Sequence, residues 1–320
     1  ANYRLAAYSV ACTTALSARL GLAFDSSETG TMKVFESLAA MEASEAVARR
    51  LKAAGLRYTV LDRAGAINVE PQLAGVAEKI AGALFYPDDR SGDARLFVQS
   101  LAAKARAAGV ELRTGVTVSR IACDGTTVTG VVVDGRLVRA RRVVIASGVA
   151  APTLARPCGV RLPIAPAKGY SLTLDASSLA PDMPRLPVVD DAMHAAVVPL
   201  GTRLRLVGTA EFTGHDTRIA PERIDNLFAL FGRLFPHLAK RVDRTSGTAW
   251  AGLRPMSADG RPFIGRTPVR GLWLNCGHGH LGWTKAVGSA RLLADLVLSR
   301  DPEIDASPFA YGAERALPAT

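Results

Sequence analysis

The spacing of apolar residues along the chain predicts five helices. Apolar positions three and four residues apart lie on one face of a helix, which then packs against the rest of the protein. The clearest stripe follows Pro221 and consists of Ile224, Leu227, Phe228, Phe231, Leu234 and Phe235. Pro236 is expected to end that helix, because proline lacks the amide hydrogen that a further turn needs. The same periodicity predicts helices over residues 3–20, 38–54, 95–108 and 282–300.

Short runs of residues with high β-propensity lie between these helices and predict strands. A first group covers residues 111–113, 116–123, 128–133 and 142–145. A second group covers residues 170–174, 195–200 and 204–208, and strand-like sequence returns between residues 248 and 275. Two Asp-Gly pairs, at 124–125 and 134–135, are typical of hairpin turns. Helices and strands in alternating blocks predict a mixed α/β (α+β) protein with two interleaved domains.

The composition is that of a globular protein. With 48% hydrophobic and 21% charged residues, a chain of 320 residues can bury a large core. No apolar run reaches the roughly 18 uncharged residues that a membrane span requires. The four cysteines are scattered and form no Cys-x-x-Cys pair, so neither a metal site nor a disulfide framework is expected. These features favour a cytoplasmic location.

The net charge of +10 limits the range of partners. It arises from 39 basic and 29 acidic residues, and a basic chain can meet nucleic acid, an anionic membrane face or acidic substrates. Because no nucleic-acid-binding motif accompanies the charge, nucleic acid is not an expected partner. Most of the charge is interpreted as solvated surface. Peripheral contact with anionic lipid is the second interpretation.

The segment from Gly271 to Ala286 carries the strongest candidate for a binding site. It is interpreted as a buried strand, a glycine-rich turn and a helix that begins at Gly282. Gly277 and Gly279 leave room for a flat or anionic group to approach the backbone, since they have no Cβ atom. The helix end adds free amide groups and a partial positive charge. An ordinary tight turn between strand and helix has the same spacing, so both interpretations stay open.

A second candidate is Arg254, which lies just before Pro255 and shortly before the Asp259-Gly260 turn. An arginine fixed on a strand near a cofactor suits a bidentate clamp on a substrate carboxylate. The structural alternative is an arginine on the surface of a hairpin.

Together these segments resemble the C-terminal part of the D-amino-acid oxidase superfamily of flavoproteins, and within it the small subunit of bacterial D-amino-acid dehydrogenases. The matching motifs include Gly-Leu-Arg-Pro-Met at 252–256 and the run from Leu272 to Thr284. Further motifs follow in the expected order upstream: Gly-Thr-Met-Lys-Val-Phe at 30–35, Glu-Pro at 70–71, Gly-Asp at 92–93 and Pro-Ala-Lys-Gly-Tyr-Ser at 166–171. The resemblance therefore covers nearly the whole chain.

The resemblance implies a set of site residues. Arg254 would hold the substrate carboxylate and Tyr170 would line the substrate pocket, although a buried tyrosine with one hydrogen bond is an equal alternative. Residues that would contact FAD are Ala146, Gly148, Gly277, His278, Gly279, Leu281, Gly282, Trp283 and Thr284. A structural role is the alternative for His278.

The resemblance also implies an activity, FAD-dependent oxidative deamination of D-amino acids to 2-oxo acids and ammonium. Electrons would pass to a quinone or another respiratory-chain acceptor rather than to oxygen. The location would then be cytoplasmic, with peripheral contact on the inner face of the plasma membrane. Two alternatives are a related amine oxidase acting on glycine, sarcosine or proline, and a non-catalytic fragment unable to hold flavin alone.

The chain departs from the family pattern in one respect, because no βαβ unit that carries a Gly-x-Gly-x-x-Gly motif lies near its start. We therefore expect an incomplete FAD-binding Rossmann-like domain interleaved with an antiparallel-sheet substrate domain. Residues 1–87 are assigned to part of the substrate domain and linking helices. The other assignments are 88–162 and 250–312 to the FAD-binding domain, 163–249 to the substrate domain and 313–320 to a tail.

Overall fold

The computed structural model describes residues 1–313, so the predicted tail at 313–320 lies outside the described residues from position 314 onward. The helices are α1 (Asn2–Leu20), α2 (Leu38–Lys52), α3 (Arg63–Val69), α4 (Ala94–Ala107), α5 (Ala151–Ala155), α6 (Pro221–Leu234), α7 (Pro236–Ala239) and α8 (Gly282–Val297). The strands are β1 (Thr31–Phe35), β2 (Thr59–Leu61), β3 (Gly82–Tyr86), β4 (Val118–Asp124), β5 (Thr127–Val133), β6 (Arg136–Arg139), β7 (Val143–Ile145), β8 (Ile164–Asp175), β9 (Val188–Asp190), β10 (Ala195–Leu200), β11 (Arg203–Glu211), β12 (Thr248–Ser257), β13 (Phe263–Arg266) and β14 (Leu272–Cys276).

The largest layer is an eight-stranded sheet in the order β12-β8-β11-β10-β9-β1-β3-β2. Neighbouring strands are antiparallel except for β1 and β9, which run parallel. Helix α6 buries the predicted apolar stripe against this sheet and forms its main core. Pro236 ends α6 as expected, and a short helix begins at the same residue. The predicted mixed α/β class is confirmed.

Two three-stranded sheets complete the fold. The first has the order β13-β14-β7, in which β14 runs parallel to β7 and antiparallel to β13. The other sheet, β4-β5-β6, is a meander whose predicted hairpin turns place Gly125 and Gly135 at positive φ. The strand predicted at 111–113 is wrong, because these residues are exposed irregular chain with no neighbouring strand. Strands β1, β2, β3, β6 and β9 were not predicted.

Helices α1 and α8 pack closely at a glycine. Gly288 of α8 lies against Ser9 of α1, whose hydroxyl accepts a hydrogen bond from the Gly288 amide at 2.9 Å. The buried ammonium of Lys285 lies 3.4 Å from the Asn2 side-chain oxygen, so the amino-terminal turns of both helices meet. No helix in the part of the chain that the structure describes is both long and apolar enough to cross a membrane.

This packing predicts opposite effects of the same substitution at two helical glycines. A Cβ atom on Gly288 would lie 2.6 Å from Ser9 Cβ and 2.7 Å from Ser9 Cα, so Gly288→Ala should lower the free energy of unfolding by about 1–3 kcal/mol. A Cβ on Gly232 in α6 meets no atom within 4 Å, and Gly232→Ala should raise stability by about 1 kcal/mol. Urea unfolding of both variants measures the difference. Equal changes in the free energy of unfolding of the two variants would show that contact with Ser9 does not limit the side chain at position 288.

Candidate active site

The candidate site lies at the carboxyl edge of the parallel strands β7 and β14. Ligands of open α/β sheets bind at this edge, where the chain turns from strand to helix. The turns carry Gly148, Gly277 and Gly279, with φ of 56°, 77° and 65°. A Cβ on Gly148 would meet no atom within 4 Å, so the space before it is open. Ala146, just after β7, is exposed.

Helix α8 begins at this edge without a side-chain cap. Leu281 occupies the N-cap position, and its first turn contains no acidic residue. The first amide groups of the helix therefore have no side-chain acceptor in the described structure, and the helix dipole adds a partial positive charge. The indole of Trp283 is occupied elsewhere, since it makes edge contacts with Phe97 and Phe24 at centroid distances of 5.0 and 6.2 Å. Its amide, like that of Thr284, belongs to the first turn.

His278 is neutral and donates a hydrogen bond. Its Nε2 lies 2.9 Å from the Ser289 hydroxyl, and that hydroxyl donates its own hydrogen to the Lys285 carbonyl at 2.6 Å. The imidazole nitrogen must therefore carry the hydrogen that it shares with Ser289. Burial, and next the positive charge of Lys285, lower the pKa of His278 to about 4. The side chain thus supports the turn and the helix from inside.

The lowered pKa predicts a stability that depends on pH. In the unfolded chain a histidine takes up a proton near pH 6.5, whereas His278 in the folded protein does so near pH 4. Folding therefore loses free energy as the pH falls from 6.5 toward 4. We expect the stability of His278→Gln relative to wild type to rise by about 2–3 kcal/mol between pH 7 and pH 4. Urea unfolding at both values measures this, and a constant difference would contradict it.

Arg254 presents a half-buried guanidinium without an acidic partner. It lies on β12 opposite Ala167 of β8, and its Nη1 donates to the Thr209 carbonyl at 2.9 Å. The guanidinium covers Gly169, where any side chain would overlap it. Burial lowers the pKa of Arg254, and within residues 1–313 no carboxylate pairs with it. The remaining N–H groups are free to bind an anion in a bidentate manner.

Strand β12 also joins Arg254 to the glycine turn. Met256, two residues further along, forms an isolated antiparallel bridge with His278. Its sulfur would lie 3.4 Å from a Cβ atom on Gly279. Partial burial and the positive charges of Lys285 and Arg254 lower the pKa of His280, which places that ring within the field of both cations. The guanidinium and the turn therefore lie near each other.

Tyr170 is not brought next to Arg254. Gly169 and Tyr170 are consecutive on β8, so their side chains face opposite sides of the sheet, and Arg254 covers Gly169. The buried Tyr170 hydroxyl donates to Glu211 at 2.8 Å. That hydrogen bond, and next one from Arg223 at 2.6 Å, outweigh the effect of burial and lower the pKa of the Glu211 carboxyl. A direct role of Tyr170 in the substrate pocket stays a prediction.

Sequence reasoning missed the supports of the Arg254 side chain. Strand β11 is bulged between Gly208 and Glu211, and Thr209 within the bulge has a φ of 65°. The bulge turns the Thr209 carbonyl toward Arg254, while Glu211 anchors its far end. A positive φ at threonine leaves no signal in a single sequence. In the sequence, Gly169 was recognised only as part of the motif at 166–171, and its contact with Arg254 was not predicted.

Comparison with known proteins decides the family. Residues 1–296 match the model of the FAD dependent oxidoreductase family, DAO. The chain belongs to this family. As a DAO-family protein it is 41% identical over 321 residues to the D-amino acid dehydrogenase of Cereibacter sphaeroides, covering 99% of this chain and 73% of the relative. It is 42% identical over 307 residues to that of Rhizobium johnstonii, covering 96% and 73%.

Solved structures of DAO-family flavoenzymes have the same fold. The glycine oxidase of Geobacillus kaustophilus superposes with a TM-score of 0.88 at 27% identity, covering 98% of this chain and 83% of that one. The L-proline dehydrogenase of P. horikoshii superposes with a TM-score of 0.84 at 18% identity, covering 96% and 81%, and supports the fold alone. The predicted family and the FAD cofactor are confirmed.

The described residues fit one part of FAD. The uncapped first turn of α8 offers amide donors and positive potential to the anionic edge of a flavin ring. At the end of β14 the Asn275 side-chain oxygen is buried and has no hydrogen-bond partner among residues 1–313. The open space before Gly148 leaves room for a group against the backbone. These three features are compatible with a cofactor at the carboxyl edge.

Proposed function

We propose that this DAO-family protein oxidises D-amino acids to 2-oxo acids and ammonium, with FAD as cofactor and a quinone or another non-oxygen acceptor. The observation that carries the proposal is the unpaired guanidinium of Arg254 beside the glycine turn at 277–279. An α-amino acid offers a carboxylate for such a fork. The D-amino acid dehydrogenases that are 41% and 42% identical to this chain support the substrate class.

In this proposal each part of the site has one task. Arg254 binds the substrate carboxylate and thereby orients the Cα–H bond toward the cofactor. The first turn of α8, from Leu281 to Thr284, and the turn at 277–279 hold the flavin ring, and residues 146–148 contact a further part of FAD. When bound, FAD supplies the two-electron oxidant, and the imine product then hydrolyses in water. The uncapped helix end stabilises negative charge at that edge.

Tyr170 acts in this proposal through Glu211 and the β11 bulge, which together fix the carbonyl that accepts from Arg254. The proposed division assigns residues 88–162 and 250–312 to the flavin side, and 163–249 with part of 1–87 to the substrate side. Helix α1, which packs on α8, links the two sides. A basic surface in peripheral contact with an anionic membrane would bring the enzyme close to a quinone pool.

The experiment that tests the proposal measures flavin reduction by different amino acids. The purified protein should show the flavin absorbance band, which D-amino acids bleach without oxygen and L-amino acids leave unchanged. Turnover should be faster with an artificial dye than with oxygen. Protein that binds no flavin, or flavin that no D-amino acid reduces, would contradict the proposal.

A second candidate is a related amine oxidase, favoured by the superposition on glycine oxidase. The same assay distinguishes it when glycine, sarcosine and proline are added to the substrate panel. Preferential reduction by one of these three, with oxygen as the better acceptor, would favour the second candidate over the first.

A further inference from the structure

Four arginines from two segments that are distant in sequence line one cavity, which we call the arginine groove. Arg141 and Arg142 precede β7, Arg266 ends β13, and Arg270 lies just before β14. The carboxyl end of α8 closes the groove at Val297 and Ser299. The cavity measures 550 Å³, a size typical of small-molecule sites rather than of a gap between side chains.

The positive charge of the arginine groove is not neutralised within the fold. None of the four guanidinium groups forms a salt bridge in the part of the chain that the structure describes, and no acidic residue lines the cavity there. The sequence has no aspartate or glutamate between Asp134 and Asp175. Asp301 lines a neighbouring cavity, which shares Arg266, Trp273 and Ser299 with the groove. All four arginines are exposed. By contrast, Arg205 is paired with the buried Asp93 at 2.8 Å.

Backbone contacts fix the arginine groove. Gly271 has a φ of 85°, and a Cβ there would lie 2.5 Å from the Arg141 carbonyl oxygen, so the segments before β7 and β14 touch. The Arg270 amide donates to the Thr126 carbonyl at 2.7 Å, and the Val143 amide donates to Gly271 at 2.8 Å. The Arg266 guanidinium lies 5.0 Å from the centre of the Trp273 ring, which orients it. The fold thus fixes the backbone positions that carry these arginines.

The arginine groove is separate from the candidate active site. The glycine turns follow the carboxyl ends of β7 and β14, whereas the groove lies at the amino ends of the same strands. Three to five residues of strand separate the two, which corresponds to roughly 10–17 Å. A ligand in the groove therefore does not occupy the substrate or flavin positions.

We propose that the arginine groove binds the phosphate group of an organic phosphate. Guanidinium forks match the oxygens of a phosphate in paired hydrogen bonds, and two or more arginines are needed to balance its two charges. The size of the cavity leaves space for an organic group bonded to the phosphate. The same chemistry occurs in soluble phosphate esters and in the headgroups of anionic phospholipids, and the two sources differ in how they reach the groove.

The first arm of the test measures binding of glycerol 3-phosphate by titration calorimetry. The variant R266Q/R270Q removes two charges from the groove. The matched control R136Q/R139Q removes two charges from the exposed strand β6, outside the cavity. We expect the groove variant to weaken binding at least about tenfold and the control to stay within about twofold. If R266Q/R270Q does not fold, as judged by its thermal unfolding, R141Q/R142Q replaces it.

The second arm measures sedimentation with vesicles of phosphatidylglycerol in phosphatidylcholine, against vesicles of phosphatidylcholine alone. Binding of glycerol 3-phosphate identifies a soluble ester as a sufficient ligand. Binding of the anionic vesicles alone, lost in the groove variant and kept in the control, identifies the lipid headgroup. Equal losses in groove and control variants would show that only diffuse charge acts, and this result, or no binding of either probe, would overturn the proposal.

Discussion

Arg254→Met raises the KM for the D-amino acid by about a hundredfold or more, while the flavin content of the protein stays unchanged. The substitution keeps much of the apolar volume of the side chain but removes the fork that would bind the carboxylate. Charge-assisted hydrogen bonds are worth about 1.5–3 kcal/mol each, and about 1.4 kcal/mol corresponds to a tenfold change. Flavin content is expected to stay unchanged because, in the proposed site, α8 and its turn hold the cofactor. Steady-state kinetics and the flavin absorbance measure both quantities.

Two further variants make this test specific. Arg254→Lys keeps the charge and loses the planar fork, so its KM should fall between those of the wild type and Arg254→Met. Arg136→Met removes an exposed arginine from β6 and serves as the matched control. An unchanged KM and turnover in Arg254→Met would exclude Arg254 from the substrate site. Loss of flavin in that variant would instead show that Arg254 supports the cofactor.

Gly169→Ala raises the KM by about tenfold or more without unfolding the protein. The φ of Gly169 lies outside the left-handed region, so alanine fits the backbone. Its Cβ, however, would overlap the guanidinium of Arg254. A guanidinium is the end of a flexible side chain and can move, so the cost in stability is small. The displaced guanidinium would lose its hydrogen bond to the Thr209 carbonyl, and with it the orientation in which it binds the substrate carboxylate. The KM would therefore rise.

Gly252→Ala is the control for this variant. Gly252 lies directly opposite Gly169 in the neighbouring strand, and a Cβ there would overlap the indole of Trp250 instead. Trp250 is 60% exposed and can turn into solvent. We therefore expect a normal KM in Gly252→Ala, and similar thermal unfolding in both variants. Equal KM changes in the two would show that Arg254 is not the group displaced.

The sequence predicted the elements whose patterns are local. The stripe of α6 and the two Asp-Gly hairpins are set by neighbouring residues, and the structure confirms them. Strands β1 and β3 escaped prediction because their main partners are each other and the distant β9. Residues 111–113 have strand-like sequence but no partner strand. Pairing between distant segments leaves little trace in one sequence.

The candidate site, like the fold, has parts that the sequence predicted and parts that it did not. The glycine turn and Arg254 were recognisable from short motifs, but the contacts that orient them depend on strand register. Which face of β8 carries Tyr170 follows from its pairing with β12, and that cannot be read from residues 166–171 alone. The proximity of two cysteines was likewise not predictable from the sequence. The sulfur atoms of Cys123 and Cys158, which look scattered in the sequence, lie 3.3 Å apart.

The parallel pairing of β1 with β9 has a consequence for biosynthesis. Met32 pairs with Val188, so the strand group β1-β3-β2 cannot join the large sheet until the ribosome has passed residue 188. At about 5–20 residues per second, this delay lasts roughly 10 to 30 seconds. Throughout it one backbone edge of β1 lacks its partner and can pair with another nascent chain. We therefore expect that slower translation between these strands lengthens the time during which β1 is open to such pairing.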